Sequence, residues 1–423
     1  MLSLPPVLWR AVESFDPSDD YRVPCELSND YWMIARWCKY ASSNYPVVMI
    51  GDSVVWGQYV GMRETLPYYL NELENGRSIN NGQKSPLIPL SKGGKLTVSL
   101  EKTPALTPLL EKTTTLTPPL DKATDIIPPL EKTTTLTPLL EKATDIIPPL
   151  EKGGRGDLKG NTFANLGVDG IHPAAMLGLV KYYGKSISNK GVILHLNPLW
   201  MSSRKHDLSD TDEFRFNHPR LVPQFYPKIA SYKAKFSQKA NIVVERNISF
   251  SSWISHIGLN YYENMDIGNW TTQYPYRNPL SAITFQIPFP ENKPHSEPIS
   301  WIERGMTKQD FPWVSIDESF QWDSFKKVIK LLQARKNKVF VLMGPFNPYV
   351  LTDESLNRYK TLRKNIENWL KENEIGYVAI SDLPSEYYAD ASHPLKEGYA
   401  MIAREMIESE LFGKWIKEAL SDR

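Results

Sequence analysis

Four apolar residues, Val47-Val48-Met49-Ile50, run directly into the turn Gly51-Asp52-Ser53. A β-branched run closed by a sharp glycine-containing turn predicts a strand with Ser53 at its carboxyl end. Open α/β sheets place their chemistry along that edge. Four more runs keep the same rhythm: Thr162–Leu166, Gly191–Leu196, Lys338–Met343 and Tyr377–Ile380. Leu66–Leu73 reads as the end of the helix that follows Ser53. Glu354–Asn373 reads as a second helix, with Leu356, Tyr359, Leu362, Ile366 and Leu370 at helical spacing. Glu397–Leu411 reads as a closing helix. Strand–helix–strand units of this kind predict an α/β domain around a parallel sheet.

Two stretches break the rhythm. Read in tens from residue 101, the chain gives EKTPALTPLL, EKTTTLTPPL, DKATDIIPPL, EKTTTLTPLL and EKATDIIPPL. Prolines in every unit block a continuous helix, and a ten-residue period matches no familiar solenoid. Residues 85–159 are therefore expected to be a low-complexity, disordered insertion in a tolerant surface loop. A spacer or docking strap is the functional alternative. Arg155-Gly156-Asp157 spells an adhesion tripeptide, which we read as a chance match. Excising the insertion joins a helix to the second strand, away from the serine turn. The second stretch, 201–321, is irregular, rich in proline, and carries Trp253, Trp270, Trp301 and Trp313. It starts just after Asn197, so it is expected to form a cap that shapes a substrate site. The competing reading is aromatics that fill a small core of their own. Residues 1–45 form an N-terminal extension, and 46–84, 160–200 and 322–423 make up the core domain.

With 423 residues, 41% of them hydrophobic, the chain can bury a large core. Its 49 basic and 48 acidic residues leave a net charge of +1. No basic cluster with interleaved aromatics appears, so nucleic acid is not an expected partner. The two cysteines, Cys25 and Cys38, could form one bridge in an exported protein but no disulfide framework. No Cys/His spacing suggests zinc, and no nucleotide loop or cofactor motif is present. No apolar run reaches membrane-span length. Met1–Pro6 lacks the basic and long apolar regions of a signal peptide. As written the chain reads as cytoplasmic, or as a cell-envelope or periplasmic protein if an N-terminal anchor precedes it.

Asp390-Ala391-Ser392-His393 lies near the C-terminus. A carboxylate three positions before a histidine can orient the imidazole that activates a serine. The Gly51-Asp52-Ser53 block and the Asp390-x-x-His393 block together resemble the SGNH/GDSL hydrolase family. Asn165-Leu166-Gly167-Val168-Asp169-Gly170 looks like that family's second block, and His195-Leu196-Asn197-Pro198 like its third. In the third block His195 stands for the usual glycine and Pro198 for the usual aspartate. The resemblance covers roughly residues 45–75, 160–200 and 335–412. It implies a three-layer α/β/α, flavodoxin-like fold. It also implies Ser53 as nucleophile, His393 as base and Asp390 as its orienting carboxylate. The oxyanion would meet the Ser53 and Gly170 amides and the Asn197 side chain.

Neighbouring residues have plainer readings. Asp52 serves the turn or caps the next helix. Asn347, in Gly344-Pro345-Phe346-Asn347, rivals Asn197 as the asparagine donor, but strand order favours Asn197. Lys205-His206-Asp207 reads as a solvated loop that could reach substrate. His172 either lines the site or caps the helix at Pro173. His195 reads as a satisfied core histidine, and His218, His256 and His295 show no metal spacing. The resemblance implies a serine esterase, removing acyl and especially acetyl groups from a small-molecule or carbohydrate ester. The alternatives are a polysaccharide O-acetyltransferase with the same triad, and a non-catalytic carbohydrate-binding or envelope-assembly protein.

Overall fold

The structure, a computed structural model, describes residues 4–75, 161–208, 218–229, 232–278, 281, 285–287 and 292–421. The decapeptide repeats and Arg155-Gly156-Asp157 lie outside the described residues. The described elements belong to one unit, Met1–Ile79 with Lys159–Arg423.

Five strands form one sheet: β1 (Val47–Gly51), β2 (Phe163–Gly167), β3 (Gly191–Leu196), β4 (Lys338–Met343) and β5 (Gly376–Ala379). Their order is β2-β1-β3-β4-β5, and every pairing is parallel. Side chains alternate across the sheet, which explains the unbroken apolar runs. Val48, Ile50, Val192 and Leu194 enter one core, with Trp37, Val328, Leu332 and Ile366. Val47, Met49, Ile193 and Phe340 enter the other, with Leu66, Tyr69, Ile402 and Phe412. Helices therefore cover both faces, an arrangement compatible with three layers. The expected helix over 354–373 is present as Asp353–Glu372, started by Thr352, whose side chain accepts from the Ser355 amide.

The closing helix differs from expectation. It ends at Glu408, and a second helix runs Glu410–Ser421. Ser409 sits between them with extended backbone (φ −71°, ψ 121°). Its carbonyl accepts from the Gly413 amide at 2.8 Å and its hydroxyl from Phe412 at 3.4 Å. A serine that can start a helix has split a long apolar pattern into two.

Asn71, near the end of the helix Leu66–Glu74, joins the two sides of the repeat insertion. Its Oδ1 accepts from the Thr162 and Phe163 amides, and its Nδ2 donates to the Phe163 carbonyl, each at 2.9 Å. The chain thus leaves the core and re-enters it at one place.

Residues 4–45 and part of the described residues in 201–321 pack on each other. Trp9 meets Trp253, Tyr261 and Phe285 edge-on. Beneath them His256, fully buried, faces Asp30 through Nδ1 (2.6 Å) and Glu13 through Nε2 (2.8 Å). Arg36 also bonds Glu13 at 2.7 Å. Two cations and two anions balance inside the protein, as buried charge requires. Trp301 donates to the Ser385 carbonyl and Trp313 to that of Ser355. Cys25 and Cys38 are both free.

Candidate active site

The strand order makes β1 the place where the chain reverses its direction across the sheet. β2 lies on one side of it and β3 on the other. Loops leaving adjacent strands at such a point diverge and open a crevice at their carboxyl ends. Ser53 follows β1, Gly170 follows β2 and Asn197 follows β3.

The serine turn is built from small, close contacts. A Cβ on Gly51 would stand 2.4 Å from Val55 Cγ2 and 2.7 Å from His195 Cβ, so only glycine fits. Asp52 Oδ1 accepts from the Val54 amide at 3.0 Å and caps the one-turn helix Ser53–Trp56. Buried Arg22 closes the far end, donating to the carbonyls of Trp56 (3.2 Å), Gly57 (2.5 Å) and Val60 (3.0 Å). Tyr399, from the C-terminal helix Lys396–Glu408, adds a bond to the Val54 carbonyl at 2.6 Å.

Ser53 Oγ lies 2.7 Å from His393 Nε2. His393 Nδ1 lies 2.8 Å from both oxygens of Asp390. Asp390 Oδ1 also accepts from the Ser392 and His393 amides, each at 2.9 Å, and Oδ2 accepts from the Tyr59 hydroxyl at 3.1 Å. Burial alone would raise the Asp390 carboxyl, but the facing imidazole and these donors bring it down to about 2. Burial alone would lower His393, but Asp390, with Asp52 and Asp169 behind it, raises it above the ordinary histidine value.

Gly170 sits at φ +65°, a left-handed turn that suits glycine. His218 lies 2.7 Å from the Asp169 carbonyl and donates to it, fixing this turn, and Tyr31 bonds the other ring nitrogen at 3.1 Å. Neither the Ser53 nor the Gly170 amide finds an acceptor among the described residues. Asn197 is tied on both ends: Nδ2 donates to Asp52 Oδ2 at 2.8 Å, and Oδ1 accepts from Leu199 at 3.0 Å. One Nδ2 hydrogen is left for another acceptor. The rival Asn347 instead grips the triad loop, donating to the Asp390 carbonyl at 3.0 Å.

These groups enclose a cavity of about 100 Å³, lined by Ser53, Gly170, Asn197, Ser392 and His393 and walled by Trp200. His172 and His206 line it too. Burial pushes the His172 imidazole down to about 4. The Ser392 hydroxyl is fully buried and has no partner among the described residues.

Several readings need correction. His206 is exposed to solvent, but it lies on a short helix, Arg204–Asp207, where a loop was expected, and it lines this cavity. Asp207 is fully buried and accepts from the Phe320 and Gln321 amides at 3.0 and 3.1 Å, holding the start of the helix Phe320–Ala334. His195 is fully buried as expected. It has a further relation: Nε2 donates to the Gly344 carbonyl at 3.0 Å and Nδ1 stands 3.1 Å from Asp52 Oδ1. Trp253, Trp270, Trp301 and Trp313 do not line the cavity. Sequence reasoning missed Tyr59, Arg22 and Ser392, of which only Ser392 sat inside a recognised motif.

No protein-family model matches the chain, and no curated protein matches its sequence. No helix among the described residues is long and apolar enough to cross a membrane.

Proposed function

We propose that this chain is a serine hydrolase of the SGNH/GDSL type, cleaving O-acyl esters, chiefly acetyl esters, of a carbohydrate or similar hydroxylated molecule. The observation that carries this is the unbroken chain from Ser53 Oγ to His393 Nε2 at 2.7 Å and on to Asp390 at 2.8 Å. His393 takes the serine proton as Ser53 attacks the ester carbonyl. The oxyanion meets the Ser53 and Gly170 amides and the remaining Asn197 hydrogen. His393 then gives its proton to the departing alkoxide, leaving an acyl-serine. Water, activated by the same histidine, releases the acid.

A cavity of about 100 Å³ suits a short acyl group. The polar Ser392, His172 and His206 suit a hydroxylated partner. A second reading, acyl transfer to a sugar hydroxyl, draws on enclosure: Ser53 and His393 are only 8% and 9% exposed. Exclusion of water lengthens the life of an acyl-enzyme.

The test is p-nitrophenol release from p-nitrophenyl acetate by the native protein and by Ser53→Ala. Turnover that vanishes in the variant, and that falls steeply from acetate to hexanoate, supports the esterase. A burst of about one equivalent without turnover supports the transferase, as expected for a stalled acyl-enzyme. No reaction in either protein removes the catalytic reading and leaves a binding protein.

A further inference from the structure

A second cavity, about 490 Å³, lies apart from the serine site. Its walls come from the helix Pro173–Gly178 with the turn Leu179–Tyr183, the loop around Leu221, the helix Phe236–Asn247, and the start of Phe320–Ala334. The volume falls within the range of about 300–1,000 Å³ that holds small-molecule ligands.

Its chemistry is one-sided. Leu177, Leu221, Val243 and Phe320 form apolar walls. Phe225 and Tyr226 at its edge are 49% and 92% exposed, an aromatic surface of the kind that marks a binding site. The polar groups in the wall are spent on the protein itself. Gln224 bonds the Pro219 and Val222 carbonyls and the Tyr232 hydroxyl. Arg246 bonds the Arg220 and Val222 carbonyls, so its charge meets dipoles and no carboxylate. Ser324 likewise donates to the Phe320 carbonyl at 2.9 Å.

Three cations line the cavity, Lys181, Arg246 and Lys327, and no acidic residue does. Lys327 reaches Asp323 outside the lining at 2.6 Å, which still leaves an excess of positive charge. From this we infer that the cavity binds an anionic amphiphile, an acyl chain or similar apolar body with a carboxylate head. The chain lies along the aliphatic walls and the head sits between Lys181 and Lys327. This site is independent of the proposed ester chemistry and needs no catalysis.

The test is titration calorimetry on the Ser53→Ala protein, with monomeric dodecanoate, decanoate, dodecyltrimethylammonium and dodecanol. We expect one dodecanoate per chain, weaker binding by about threefold to fourfold for each methylene removed, and a preference for the anion over the cation. The double variant Lys181→Glu, Lys327→Glu should weaken dodecanoate at least about fivefold and improve dodecyltrimethylammonium. Leu177→Trp, which fills the cavity, should abolish both. Equal affinity for the two head groups in the native protein would overturn the inference. So would dodecanoate binding that survives both the charge reversal and the filling variant, or no binding at all.

Discussion

Asn197 Nδ2 donates to Asp52 Oδ2 at 2.8 Å, so the asparagine proposed for the oxyanion is held by the residue that precedes Ser53, the proposed nucleophile. Asp52 also caps the serine helix and faces His195. Burial would raise its carboxyl, but His195 and Asn197 keep it below the ordinary range, as an anion. One carboxylate therefore sets two parts of the site at once. Asp52→Ala is expected to lower kcat by about 10–100-fold with KM nearly unchanged, and to cost about 1 kcal/mol through the lost cap. Asn197→Ala should lose about 10²–10³ in kcat. Steady-state kinetics and thermal unfolding check both. An Asn197→Ala enzyme within threefold of native would remove Asn197 from the oxyanion site.

Ser392 offers a buried hydroxyl beside the triad with no partner among the described residues. A hydrogen bond to substrate is worth about 1 kcal/mol, a factor of roughly five. Ser392→Ala should raise KM about fivefold for the natural ester class and leave the rate with p-nitrophenyl acetate nearly unchanged. An equal loss on both substrates would mean the serine only supports the loop.

The activity should depend on His393 being neutral. Its pKa is raised, chiefly by Asp390 against the opposing pull of burial. The rate should therefore climb with pH along a limb centred above the ordinary histidine value of about 6.5. Asp390→Asn should move that limb to lower pH and cut kcat by about 10³–10⁴. Log-rate profiles from pH 5 to 9 read both, and an unmoved limb would show that another group titrates.

His256 sits between Asp30 and Glu13, which raise it to about 9 although burial alone would lower it. The folded value lies above the unfolded one. The stabilisation is therefore full below about pH 6.5 and is lost as pH rises through about 9. His256→Gln should cost about 3–5 kcal/mol at pH 6.5, because it leaves buried carboxylates short of a cation. Urea unfolding at pH 6.5 and pH 10 should show that gap shrink by about 3 kcal/mol. A gap equal at both pH values would exclude a charged His256.

Asn71 bonds β2 directly, so the core does not need the repeats to bring its two pieces together. If the connection is the unstructured insertion that the sequence predicts, closing its roughly 85 residues costs about 2 kcal/mol more than closing about 10. Replacing residues 79–158 with a short Gly/Ser linker should raise stability by about that amount, read as the urea midpoint. A less stable product would show that the repeats pack on the core.

The sheet was legible because its strands are covered on both faces, so Val47–Ile50 and Gly191–Leu194 are apolar throughout. Ser53, Asp390 and His393 were legible because each lies in a short block. The Asp52–Asn197 bond was not. It spans 145 positions and exists only because β1 and β3 are neighbours. The His256 cluster was hidden for the same reason, since Asp30 and Glu13 lie 226 and 243 positions away. Asp207 looked like a loop residue because its helix-capping work is done on a helix 113 positions later.

Ser53 and His393 are separated by 340 positions. At the ribosome's pace of about 5–20 residues per second, Ser53 waits roughly 20–70 s for its histidine partner. If Ser53 is the nucleophile we propose, a nascent chain that has not yet reached His393 carries an unarmed hydroxyl and forms no acyl-enzyme. On the proposed reading, the order of synthesis itself withholds the ester chemistry until His393 has been added.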